Sequence, residues 1–452
     1  METASQVLII IIFILMFVVI TIGKVHRYVP ALVGAGLTLL VLLLVLRNPG
    51  DANTVLNFGE MGRSIFWYPG HEHLESHGIN WQTVIFIAGM MTMVEGMGAA
   101  GFFRWLCLLV AKTVRYKVTP IMIAFILLSG FLSMFIDSIT VLLFMTSVTI
   151  ELARMLEFDP VPIIISMIFA ANVGGSATMA GDPPNIIIGT AFGYTFIDFL
   201  KDTGPIAWIT MVFTVGYFYF VFRKNLAGPP GELKVEDVVY PEPREAITDP
   251  RLFRISSGIF IFVVMLLVTH AQTGISVASV GVIAAVLTLS AAGKGAMQII
   301  HRIDWRTLLF FIGLFVVVGG LEVTETLKLF ARLIEDVSGS NMLVVITIII
   351  WASAFLSSIV DNIPFAATMV PVIANLSGGN PATLKTLSWT LALGTDIGGN
   401  GTPIGASANV VGTAIAEREG HPIGWGRFCK YAMPAMIIAV AICWLFIYLW
   451  HY

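Results

Sequence analysis

Asn172-Val-Gly-Gly-Ser-Ala-Thr-Met-Ala-Gly-Asp-Pro-Pro-Asn185 interrupts what would otherwise be one apolar run from about Val161 to Leu200. Glycine lets a backbone come close to a neighbour or a ligand. Pro183 and Pro184 lack an N–H and stop the preceding helix. At an offset of 224 residues, Asp396-Ile-Gly-Gly-Asn-Gly-Thr-Pro-Ile-Gly-Ala-Ser-Ala-Asn409 repeats the pattern: Thr178 falls on Thr402, Gly181 on Gly405 and Asn185 on Asn409. The same offset lays Trp81-Gln-Thr-Val-Ile-Phe-Ile-Ala-Gly89 on Trp305-Arg-Thr-Leu-Leu-Phe-Phe-Ile-Gly313, and Asp137-Ser-Ile-Thr140 on Asp361-Asn-Ile-Pro364. Three separated matches at one ungapped offset identify an internal duplication.

Around these matches the 452-residue chain is 57% hydrophobic and only 12% charged, about half the charge of a soluble domain. Val7–Ile22, Ala31–Leu46, Ile206–Phe222 and Ala432–Trp450, with Ile259–Thr269 and its flanks, are apolar enough to cross a ~30 Å hydrocarbon core. The first lacks the basic flank and small-residue cleavage site of a secretory signal and reads as a retained span. A net charge of −3 points away from nucleic acid. Cys107, Cys429 and Cys443 show no paired spacing, so neither a disulfide framework nor a thiolate metal site is expected.

Residues 223–254, with Pro229-Pro230, Pro241, Pro243 and many charges, read as a solvated linker between a first repeat (1–222) and a second (255–452). The first repeat carries an insertion at about 47–80. Each half resolves into three spans, a hairpin, a broken fourth span and a fifth span. The hairpin tip Met134-Phe-Ile-Asp-Ser-Ile-Thr140 is too apolar for an aqueous loop, so it is placed within the membrane as a re-entrant turn. Five crossings per half turn the second repeat upside down, and the fold class expected is an all-α polytopic membrane protein of two inverted repeats. Positive charge supports this: with an outside N-terminus, inside loops hold 19 Lys and Arg and outside loops 6. The expected location is the cell membrane, with both termini outside and the linker cytoplasmic.

In lipid every backbone polar group needs a partner, so helix breaks at membrane depth line a cavity or lie within protein. Half-helix ends at the two tips and two breaks therefore face a central site. Asp137, Ser138, Thr140, Thr178, Asp182, Asn185, Asp361, Asn362, Asp396, Asn400, Thr402 and Asn409 are the candidate ion- or solute-binding residues. The four Asp have no Lys or Arg near them in sequence. A carboxylate at mid-bilayer costs roughly 2.5–3.5 kcal/mol on insertion scales, and must be hydrated, protonated or paired with a cation. Burial disfavours its ionised form and a bound cation restores it, which is the basis for exchanging protons against a metal cation. Asp137 and Asp361 also stand where a helix N-cap is needed. Glu95 lies in an apolar run, either as a proton relay or reaching the interface. His71-Glu-His-Leu-Glu-Ser-His77 has the composition of a metal cluster without a recognisable ligand spacing, and reads as a solvated loop.

On these motifs the chain resembles the ion transporter superfamily, in the branch of the P protein, arsenite permeases and sodium/proton antiporters, with a citrate-transporter-like domain. The resemblance covers nearly the whole chain. It implies a homodimer in the lipid bilayer, with a scaffold and a mobile transport domain working as an elevator. Related dicarboxylate transporters hold Na⁺ and substrate at tips bearing Ser-Asn-Thr. Ser138-Ile139-Thr140 and Asn362-Ile363-Pro364 stand there and depart from that pattern, which argues against a dicarboxylate. The P-protein branch usually has Asp-Asn where this chain has Asp137-Ser138. Asp137, Ser138, Asp361 and Asn362 are the Na⁺ ligands so implied.

The expectation is a secondary active transporter, not an enzyme, coupled to Na⁺ or H⁺ with no other cofactor, favouring antiport of a small ion or solute. Arsenite efflux, organic-anion transport and a channel are the alternatives. No His-Glu-x-x-His, serine nucleophile with a nearby base or Walker A sequence is present, so any accessory ATPase is a separate subunit. An acidic site without a basic partner favours a cation or a neutral hydroxylated solute.

Overall fold

A computed structural model describes residues 2–70, 78–224, 240–339 and 341–451. The His71–His77 cluster and most of the linker lie outside them. The described residues contain helices and no strands. The first half builds nine principal helices: α1 (Glu2–Ile22), α2 (Tyr28–Leu40), α3 (Trp81–Ala99), α4 (Phe102–Thr113), α5 (Val118–Ser133), α6 (Ser138–Leu156), α7 (Val161–Gly175), α8 (Pro183–Phe192) and α9 (Phe196–Phe222). The second half builds nine in the same order: α10 (Pro250–Thr273), α11 (Val277–Ala292), α12 (Trp305–Val323), α13 (Thr326–Ser338), α14 (Met342–Ile359), α15 (Asn362–Leu376), α16 (Pro381–Gly398), α17 (Ser407–Arg418) and α18 (Trp425–His451). Each helix of the first half thus has its counterpart nine places on. The step is 224 residues from Trp81 to Trp305 and 249 from Tyr28 to Val277, because the insertion lies between them.

Among the described residues ten helices are long and apolar enough to cross a membrane. They include one arm of each hairpin, α6 and α14, and none of the segments α7, α8, α16 and α17. The breaks divide the fourth spans into pieces too short or too polar to qualify, so this set of ten differs from the ten crossings read from sequence.

The halves interleave. α3 packs on α11 and α2 on α12, so the third span of each half lies on the second span of the other. The contacts are backbone-close: a Cβ on Gly89 would meet Gly281 O at 2.1 Å, and one on Gly313 would meet Ala31 C at 2.6 Å. Around the breaks the same exchange recurs, with α6 against α17 and α15 against α8.

Three segments differ from the sequence reading. Arg104 and Lys112, counted among the inside-loop charges, lie on the amphipathic helix α4, and Lys328 and Arg332, counted outside, lie on its counterpart α13. At about 1.5 Å per residue, twelve or so residues are too short to cross a ~30 Å hydrocarbon core. The linker's end is also docked: Tyr116 donates to Pro241 O at 2.9 Å, its ring stacks on Tyr240 at 4.3 Å, and Lys112 pairs with Glu242 at 2.7 Å. Asp249 caps α10, which begins at Pro250. The insertion folds as well: Ile79 N donates to Val55 O at 2.8 Å and Ser279 Oγ to Trp67 O at 2.7 Å, holding it over the ends of α3 and α11.

Candidate functional site

Each hairpin turns through an aspartate. Asp137 accepts Thr140 N at 3.1 Å and Thr140 Oγ1 at 2.7 Å; Asp361 accepts Ile363 N at 3.2 Å. Both cap the arm that follows, satisfying N–H groups that have no partner within the helix.

The two breaks are braced alike. Asn185 Nδ2 donates to Gly175 O and Thr178 O, both at 3.0 Å, and Asn409 Nδ2 to Gly399 O and Thr402 O, both at 2.8 Å. Thr178 Oγ1 donates to Met134 O and Thr402 Oγ1 to Ser358 O, tying each break to its own hairpin. The amides and hydroxyls thus take up carbonyls that the interrupted helices leave open. Glycine makes room: a Cβ on Gly181 would stand 2.4 Å from Gly175 O, and one on Gly405 2.5 Å from Gly399 O.

The halves meet at Asp182. Ser138 Oγ, from the first tip, donates to Asp182 Oδ1 at 2.8 Å, and Asn362 Nδ2, from the second, donates to Asp182 Oδ2 at 2.9 Å. Asp182 does not cap α8; its carboxylate is committed to the tips.

The breaks part company at several positions: Asp182 falls on Ala406, Ser176 on Asn400 and Asn172 on Asp396. Asn172 donates through Nδ2 to Asn400 Oδ1 and Asn409 Oδ1, each at 2.9 Å. Its counterpart is Asp396, whose ionised carboxylate has nothing to donate. Asp396 is fully buried and faces Asp182 and Asn185. Both Asp396 oxygens, Asn185 Oδ1, Asn172 Oδ1 and the donor Asn400 Nδ2 have no hydrogen-bond partner among the described residues. Asp396 thus faces Asp182 and Asn185 as buried acceptors, an arrangement that favours a proton or a cation between them. Among the described residues no three His, Cys, Asp or Glu side chains gather into a metal-ligating set, so the oxygens on offer are largely amide and hydroxyl.

Asp182, Asp396, Ser138, Asn362, Asn185, Asn400, Asn409, Thr178 and Thr402 are therefore brought together, the last two as braces. Thr140 and Asp137 close the first tip beside Ile87, Met90 and Phe311. Glu95 is half-buried on α3, within the fields of Arg302 and Asp137. Asn172, which is not among the sequence-derived candidates, also belongs to the site; its alignment with Asp396 is the signal for it.

Asp361 corrects the sequence reading. The acidic residues were expected to lack a basic partner, yet Arg27 Nη1 pairs with Asp361 Oδ2 at 2.6 Å. The guanidinium also contacts Ser407 Oγ, donates to Thr307 Oγ1 at 2.9 Å and lies over the Phe310 ring at 4.9 Å. Folding supplies this cation from 334 residues away, which inspection of neighbouring sequence does not reach. Arg27 borders a cavity of about 480 Å³, which His26, Arg306, Asp304 and Ile404 also line.

Residues 14–394 match the citrate transporter family. The chain belongs to that family. This citrate transporter family member is 31% identical to the 46 kDa membrane protein of Mycobacterium leprae, over 98% of both chains. It is 34% identical to an uncharacterized transporter of Mycobacterium tuberculosis, over 84% of this chain and 88% of that one. The P protein of Homo sapiens is 30% identical over 82% of this chain and 54% of its own length, in keeping with the branch that the motifs resemble. Two solved structures share the fold at 11% identity. The YdaH transporter of Alcanivorax borkumensis gives a TM-score of 0.60 over 93% of this chain and 98% of that one. MtrF of Neisseria gonorrhoeae, whose structure is described as illuminating a class of antimetabolite efflux pumps, gives 0.55 over 99% and 95%. The protein is a multi-pass membrane transporter.

Proposed function

We propose that this transporter is a secondary active carrier in which a proton or Na⁺ held between Asp182 and Asp396 is exchanged against a small ion or solute. The observation that carries the reading is the confrontation of those carboxyls in a buried, acceptor-rich site bound by both hairpin tips. A fixed charge there is tolerable only with its counter-ion, so loading and unloading that ion governs whether the site crosses lipid. Inverted insertion of the halves, both termini outside the cell membrane, a homodimer and elevator motion of the tips and breaks complete the proposal. The repetition of the Asn185/Asn409 and Thr178/Thr402 bracing bonds in the two breaks supports the two-fold relation on which alternating access would rest.

A second reading, export or import of an organic anion, draws on the family's description and on the cavity beside Arg27. Arg306 and His26 lie 3.1 Å apart in that cavity. The lean toward a cation or a neutral hydroxylated solute, which rested on the lack of a basic partner, loses that support at Asp361.

Purified protein in liposomes, with an imposed Na⁺ or pH gradient and a trapped pH dye, tests the first reading. Gradient-driven proton movement that Asp396→Asn abolishes is the expected result. Proton flux unchanged in Asp396→Asn ends it. Parallel arms with citrate and with arsenite separate the cargo classes.

A further inference from the structure

Arg27 stands at the position preceding α2, where a cation opposes the helix dipole. It makes no cap there. Its counterpart Ser276 does cap α11, donating no charge and accepting Ser279 N at 3.2 Å. Duplication thus yielded a helix-capping hydroxyl in one half and, in the other, a guanidinium that leaves its own helix and reaches the second hairpin tip. The two tip carboxylates differ accordingly. Asp137 is held by Thr140 and pairs with no basic side chain among the described residues, whereas Asp361 is engaged by Arg27 and Ser407.

The guanidinium is seated on elements that pack as one unit: Arg27 precedes α2, and Thr307 and Phe310 belong to α12, against which α2 lies. Asp361 and Ser407 belong to the tip and to the start of α17. The pair therefore joins two groups of helices, and the Arg27 and Asp361 side chains are only 23% and 10% exposed. A shielded carboxyl is either protonated or held by a positive partner, and a monovalent cation would meet the same carboxylate and hydroxyl oxygens that the guanidinium meets.

We propose that Arg27 is a resident counter-ion that occupies Asp361 in place of a monovalent cation, and so expels that cation whenever the second tip docks against α2 and α12. This rests on the reading of the tips as a cation-coupled site. Arg27 acts as a positioning residue, through Asp361, and does not itself touch cargo.

The test is calorimetric titration of Na⁺ into the purified full-length protein, with K⁺ as the comparison ion. Arg27→Gln is expected to tighten Na⁺ binding on the order of tenfold, the change that follows from removing a modest competing charge interaction, or to add a binding event. Adding Asp361→Asn is expected to cancel the gain, and Arg27→Lys to restore wild-type behaviour. Thr307→Val, which frees one arm of the guanidinium without touching Asp361, is expected to shift binding the same way by less, and serves if Arg27→Gln does not fold. No gain in any of these variants, or a gain that survives Asp361→Asn, overturns the proposal. Because Na⁺ binding is read directly, that result is distinct from a lack of proton flux through Asp182 and Asp396.

Discussion

Asn362 donates to the Asp182 carboxylate at 2.9 Å across 180 residues of chain, so the tip of one half is hydrogen-bonded to the break of the other. A charge-assisted bond of this kind is worth more than a neutral one, and it ties both halves to one titratable group.

Asp182→Asn is expected to abolish gradient-driven transport, because the amide cannot accept from Ser138 and Asn362 while carrying an exchangeable charge. Asn362→Ala keeps the charge but removes one of its two donors. Its expected cost is roughly 1.5–3 kcal/mol in site stabilisation, read as a lower maximal rate in liposomes with the protein still folded by size exclusion.

Asp396→Asn is expected to separate stability from function. The amide would offer Asn185 Oδ1 the donor that Asn172 offers Asn409 Oδ1, and an unpaired buried acid would be gone. Thermal unfolding in detergent should rise, by roughly 1–3 kcal/mol of stability, while coupled flux disappears. A fall in melting temperature would contradict this account of the site.

Gly398→Ala is expected to destabilise the protein, since its Cβ would stand 2.2 Å from Ala354 Cα. Backbone cannot retreat as a flexible side chain can, and overpacking typically costs about 1–3 kcal/mol. Gly216→Ala, inside α9 with nothing within 4 Å, is the control and should melt no lower than wild type.

Asn185→Ala and Asn409→Ala should each lose two bonds to carbonyls exposed by the breaks. Each is expected to cost roughly 1–3 kcal/mol per carbonyl left unsatisfied. Asn409→Ala also strips Asn172 of an acceptor, whereas Asn185 Oδ1 has no partner among the described residues, so the Asn409 variant should show the larger drop in melting temperature. A larger drop for Asn185→Ala would contradict this bonding pattern.

The duplication was legible because backbone geometry constrains side chains: only glycine fits at 181 and 405, and only an amide reaches both carbonyls from 185 and 409. The hairpin tips were legible for a related reason, since Asp137 and Asp361 cap helices that start in an apolar setting. Arg27 was not, because its partner is set by tertiary packing and leaves no local trace. α4 and α13 left no clear trace because Arg104, Lys112, Lys328 and Arg332 mark polarity, and polarity near a span end looks the same in a loop and in a short amphipathic helix. The exchange of Asn172 for Asp396 was visible in the alignment, but its meaning needed the bonds of Asn172 to Asn400 and Asn409.

The interleaving of α3 with α11 and of α2 with α12 bears on how the chain is made. Some 180 residues separate the end of α3 from the start of α11, and at about 5–20 residues per second a ribosome needs roughly 10–40 s to bridge them. Throughout that interval the Gly89 surface has emerged without the helix it is shaped to receive. Biogenesis of this transporter therefore includes a waiting period in which an early helix is shielded by lipid or by an insertion factor, and neither half is complete as a folding unit.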